Sequence, residues 1–154
     1  MTIREGFASI GDANLHYLAA GDPAKPMLLF LHGFPEFSGM WRDTMERLSD
    51  RFFCLAPDQL GYNLSDKPEP VSRYRAKALV EDVDAFLDAF PPRRPFTLVA
   101  HDWGGAIAWA YALKHPQALR RLVIVNAVHP AAFQREIGRN PDQARASQYM
   151  VDMQ

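Results

Sequence analysis

A chain of 154 residues holds one domain with a sizeable core, and leaves no room for two. Hydrophobic residues make up 48% of it, aromatics 12% and charged residues 23%, a globular composition and not a disordered one. Seventeen basic residues against eighteen acidic ones give a net charge of −1, which excludes the electrostatic footprint of a nucleic-acid binder.

The N-terminus, MTIREGFASI, lacks the long apolar stretch of a signal peptide, and no run approaches a membrane span. A cytoplasmic address is therefore expected. Residues 6–22 read as two short strands joined at Gly11-Asp12, an antiparallel hairpin at one sheet edge. PMLLFLHG (26–33) is the first of four apolar runs; RFFCLAPD (51–58), RPFTLVAHD (94–102) and RRLVIVNAV (120–128) follow. Each is short, apolar on both faces and closed by Gly, Pro, Asp or Asn, the texture of strands buried on both sides. Cys54 lies within the second run as an inert buried thiol, and a lone cysteine forms no intrachain disulfide. The pairs Arg93-Arg94 and Arg120-Arg121 read as solvated strand entrances.

Helical patterns separate the runs. Residues 38–50 offer Ser38 as a cap and Met40, Trp41, Met45 and Leu48 as an apolar face; residues 72–90 carry a stripe through Leu79, Val83, Phe86 and Phe90. Residues 104–116 are apolar all round, which predicts a central helix, and Pro116 helps to end it. The alternation predicts an α/β fold with a mostly parallel sheet. After Val128 the texture turns polar; the stretch contains Pro141 and reads as a loop entering a helix that runs to Gln154.

The chemistry concentrates at AHDWGG, 100–105, where Asp102 falls at a sharp turn from strand to helix. Small residues at 100 and 104 let such a strained turn pack and hold one side chain exposed above the sheet. The turn by itself leaves two readings open: Asp102 as a nucleophile, or Asp102 as an ordinary helix N-cap.

Three ordered motifs, HGFPE (32–36), PDQLGYNLSDKP (57–68) and HDWGG (101–105), resemble the α/β-hydrolase superfamily, and within it the epoxide hydrolases and haloalkane dehalogenases. The resemblance implies the N-terminal part of an α/β-hydrolase core over residues 1–129 and the start of a helical cap over 130–154. It implies that Asp102 is the nucleophile, attacking an sp³ carbon to form an alkyl ester. Backbone N–H groups of Phe34 and Trp103 would form the oxyanion hole, with both side chains lining the substrate pocket. Pro35 matches the proline that turns this loop through a cis bond. Leu60 and Asn63 depart from a frequent arginine and glycine, and Asn126 stands where one dehalogenase subgroup keeps its acid.

The substrate implied is a small-molecule electrophile, an epoxide or an alkyl halide, with no cofactor and no metal. Dehalogenases often carry Asn after the His-Gly pair; Phe34 has no such donor, which favours the epoxide. The family's cap tyrosines, C-terminal histidine base and its carboxylate partner are expected beyond residue 154, in a remainder present as a second chain. Alternatives are a haloalkane or haloacid dehalogenase, and a non-catalytic binding module on the same fold. Among the histidines, His16, His32, His101 and His115 read as structural, and His129 stays open.

Overall fold

The computed structural model describes residues 2–90 and 95–152. The Arg93-Arg94 pair and the last two residues of the C-terminal pattern lie outside the described residues. Six strands form one sheet: β1 (Arg4–Ser9), β2 (Asn14–Ala20), β3 (Met27–Leu31), β4 (Phe53–Pro57), β5 (Phe96–His101) and β6 (Leu119–Val125), in the order β1-β2-β4-β3-β5-β6. β1 and β2 form the expected hairpin, and β2 also runs antiparallel to β4. The β4-β3-β5-β6 part is parallel throughout. Among the described residues six α-helices accompany the sheet: α1 (Arg42–Leu48), α2 (Ala76–Asp88), α3 (Trp103–Lys114), α4 (Pro130–Arg139), α5 (Pro141–Ala146) and α6 (Tyr149–Asp152). Among the described residues no helix is long and apolar enough to cross a membrane.

The unbroken apolar runs follow from a sheet covered on both faces. Strand side chains alternate, so Leu29 and Leu31 enter a core with α2 and α3, through Val83, Phe86, Ile107 and Tyr111. Leu28 and Phe30 enter the opposite core with Trp41 and Met45. Each fully buried Leu or Phe side chain contributes roughly 1.5–3 kcal/mol. Cys54 is buried here, and burial pushes its thiol up to about 11, as an inert cysteine requires.

Five expectations need correction. The loop and single helix expected after Val128 form three short helices, α4 to α6, with Pro141 opening α5. β6 is not covered on both faces: Leu122 and Ile124 pack inward, but Val123 and Val125 are 42% and 43% exposed. No other described strand pairs its outer edge. Ser38 does not cap a helix; it opens a 3-10 turn (Ser38–Trp41) ahead of α1, and its N–H donates to Asp58 Oδ1 at 2.8 Å. The 72–90 pattern is split. A 3-10 turn over Val71–Tyr74 leads into an extended Arg75 at ψ 146°, and only then does α2 begin. The centrality of the 104–116 helix holds for one face only, since Leu113 is exposed.

The split has a cause. Arg73 reaches Asp12 in the hairpin turn at 2.8 Å and Asp82 on α2 at 2.8 Å, so the turn serves to tie two distant elements together. Burial pushes the Asp82 carboxyl up in spite of Arg73. Replacing Arg73 by Met strands that carboxylate, and a loss of about 3 kcal/mol is expected in urea unfolding. Asp12→Asn, which alters only the exposed arm of the bridge, should barely move the midpoint.

Candidate active site

The parallel strands deliver their loops to one end of the sheet: residues 32–37 after β3, Asp58 after β4, Asp102 after β5 and Asn126 after β6. In open α/β sheets this carboxyl end is where ligands sit.

Asp102 occupies the turn between β5 and α3 at φ 51°, ψ −120°. Its carbonyl starts the helix, accepting from Gly105 N at 2.8 Å, while its side chain makes no capping hydrogen bond. The N-cap alternative thus loses its defining contact. The carboxylate turns instead towards the β3 loop, where Oδ1 accepts the backbone N–H of Phe34 at 2.9 Å. Glycines permit this approach. A Cβ on Gly33 would fall 2.6 Å from Asp102 Oδ1, and one on Gly104 would fall 2.7 Å from the Leu31 carbonyl oxygen. The Phe34-Pro35 peptide is cis, as the motif implied.

His32 explains how the loop is held. It is fully buried, and its Nδ1–H donates to the Gly33 carbonyl at 2.9 Å while Nε2 accepts the Gln59 N–H at 2.9 Å. Only a neutral ring can do both, and burial holds its pKa below the usual histidine value. The Tyr62 ring packs edge-on against His32 at 4.8 Å. Burial, and then the charge of Asp102, raise the Tyr62 phenol, which stays protonated.

Behind this loop Asp58 is fully buried and multiply bonded. Its Oδ1 accepts from Ser38 N at 2.8 Å, and its Oδ2 from Asn63 Nδ2 at 2.8 Å and His16 Nδ1 at 2.9 Å. Burial alone would raise the Asp58 carboxyl; the bonds from Ser38, Asn63 and His16 outweigh it and bring it below the ordinary value. Asn63 adopts φ 41°, the conformation its side chain tolerates, and Leu60 is buried in the core. His115 closes α3 and pairs with Asp84 at 3.0 Å. His129 caps α4, its Nδ1 accepting from Ala131 N at 3.2 Å. His101 lies on β5 immediately before Asp102.

A cleft of about 540 Å³ opens over Asp102. Phe34 and Trp103 line it, 53% and 46% exposed, and so does Asn126. Its other wall is made by α4 to α6, through Phe133, Gln143, Ser147, Tyr149 and Met150. The sequence singled out none of these five. Their only signal was the i, i+4 spacing of Gln143 and Ser147 in a polar stretch, which also fits a solvated helix.

The chain belongs to the alpha/beta hydrolase fold family, which matches residues 26–148. Epoxide hydrolase 1 of Caenorhabditis elegans is 37% identical over 144 residues, 94% of this chain and 35% of that protein. A solved structure described among novel epoxide hydrolases in metagenomes from hot environments is 42% identical, with a TM-score of 0.90 over 99% of this chain and 51% of its own. The Bacillus megaterium epoxide hydrolase, solved with an inhibitor, is 38% identical, with a TM-score of 0.89 over 95% of this chain and 50% of its own. The chain spans about a third to a half of the length of these relatives.

The Asp58 cluster sets a pH dependence. Its folded carboxyl lies below the unfolded value of 3.8, so its stabilisation is present above that value and is lost as pH falls through the folded one. Asp58→Asn should lower stability at pH 7 and flatten the fall of the melting temperature with acid below pH 4, read by thermal scans across that range.

Proposed function

We propose that this protein opens epoxides to diols, with Asp102 as the nucleophile. The observation that carries the reading is the Phe34 N–H donating to the Asp102 carboxylate at the floor of a cleft. A carboxylate needs no deprotonation before it attacks a saturated carbon, and here it is aimed by a backbone group and not spent on capping. The names of the relatives support the same substrate class.

In the first step one Asp102 oxygen bonds to a ring carbon, the carbon–oxygen bond of the epoxide breaks, and the ring oxygen takes a proton. Tyr149 supplies that proton. It stands in the cleft wall with an exposed side chain, inside the chain and not beyond residue 154 where the resemblance led the cap tyrosines to be expected. Residues 130–152 then act as the start of a cap over the part of the core formed by residues 1–129. In the second step water adds to the ester carbonyl of Asp102. The charge that develops on oxygen is met by the N–H groups of Phe34 and Trp103, the latter at the first position of α3, where an N–H has no helical acceptor. Collapse releases the diol and restores the carboxylate; of the two protons of the water, one goes to the departing alkoxide and the other returns Tyr149 to its phenol. His16, His32, His115 and His129 are engaged in structural contacts, and the water-activating base is not assigned to them.

The side chains of Phe34 and Trp103 flank the reacting carbon. The Phe34 ring offers no halide donor, which places dehalogenation second. A reducing, cytoplasmic setting agrees with the single buried thiol.

Oxygen tracing tests the nucleophile. In a single turnover in heavy-oxygen water with enzyme in excess, label should enter the peptide containing Asp102 and be absent from the newly bonded product oxygen. Label in the product and none in the peptide would mean direct attack by water. Tyr149→Phe should slow ring opening by about 10²–10⁴-fold in pre-steady-state measurements, leaving the circular dichroism spectrum unchanged.

A further inference from the structure

The cleft wall is mostly apolar, with Phe34, Trp103, Val128, Phe133 and Met150 facing the substrate space. Apart from Asp102, Asn126 and Tyr149, the polar lining is Gln143 and Ser147. These two lie one helical turn apart, and Gln143 Nε2 donates to Ser147 Oγ at 2.9 Å. Ser147 is only 7% exposed and Gln143 is half-buried. The solvent side of α5 already carries an ion pair, Asp142 with Arg145, so solubility of the helix does not require the pair. Polar groups set into an apolar wall lose hydration and need partners.

Their bonding capacity is only partly used. The bond between them takes one amide hydrogen of Gln143 and one lone pair of Ser147. The Gln143 carbonyl oxygen is left to accept and the Ser147 hydroxyl hydrogen is left to donate. Turning the amide over exchanges the roles, but a donor and an acceptor remain. Both groups are neutral, so the pair matches a ligand group that donates and accepts at once, without charge. An aliphatic hydroxyl does so.

We infer that Gln143 and Ser147 form a substituent subsite that selects epoxides bearing a hydroxyl on the side chain over their alkyl counterparts. The inference rests on the cleft being the epoxide site. It makes the two residues determinants of specificity, and it assigns them no part in bond breaking.

The test compares kcat/KM of the active enzyme for ω-hydroxy terminal epoxides and their methyl-ended counterparts of matched length, over a short series of lengths. At one length the hydroxylated substrate should be preferred by about three- to tenfold, the worth of one neutral hydrogen bond. In Gln143→Met and in Ser147→Ala the two substrates should converge, through a rise in KM of the hydroxylated one. Equal preference at every length in the wild type overturns the subsite, as do variants that affect both substrates alike. Absence of turnover with any epoxide overturns the function on which the subsite rests, and the subsite with it.

Discussion

Asp102 is held at φ 51° and ψ −120°, a conformation that a residue with a Cβ adopts at a cost of about 1–3 kcal/mol. The rest of the site depends on that turn. It is kept by contacts that leave no room for relaxation: Gly104 lies against the carbonyls of Leu31 and His32, Gly105 against Ala127, and Gly33 against the Asp102 side chain. Burial of Ile107, Ala108 and Tyr111 anchors the following helix and offsets the strain. Core packing thus fixes the posture of one carboxylate.

The electrostatic support is divided between two buried groups in opposite protonation states. His32 is neutral and spends both nitrogens on backbone partners, so the β3 loop is fixed without placing a second charge beside Asp102. Asp58 is charged, and partners from the hairpin, the 3-10 turn and its own loop compensate it. His16 links it onward to Glu5 at 3.8 Å. The cluster joins β2 to the loop behind the site and takes no part in the cleft. A buried carboxylate–histidine pair is in this molecule a fastening.

The mostly parallel sheet, the hairpin and the turn at Asp102 were legible because they depend on short patterns: apolar runs, Gly11-Asp12, and small residues at 100 and 104. What escaped were features set by distant partners. The break at Arg75 reflects Arg73 reaching across 61 residues to Asp12, and helical periodicity in 72–90 carries no trace of it. Ser38 is a plausible cap in isolation, but Asp58, twenty residues on, claims its N–H. The exposed face of β6 was misjudged because an apolar run reads the same whether or not something covers it. On the site, Phe34 and Pro35 were legible through their motif. Phe133, Gln143 and Tyr149 were not, since they come from helices of ten, six and four residues in a polar stretch.

The floor and the roof of the cleft are written in different alphabets. Beneath, the groups that meet the carboxylate are main-chain amides and glycines, whose identity a substitution elsewhere in the cleft does not touch. Above, most of what meets a ligand is a side chain on or beside a short helix tied mainly to its own neighbours, as in the bonds from Asp142 N to Asn140 Oδ1 and from Gln143 Nε2 to Ser147 Oγ. Variation can therefore redraw what the cleft admits while the floor beneath it stays as it was, and a library confined to positions 133, 143, 147 and 150 samples selectivity at little risk to the scaffold.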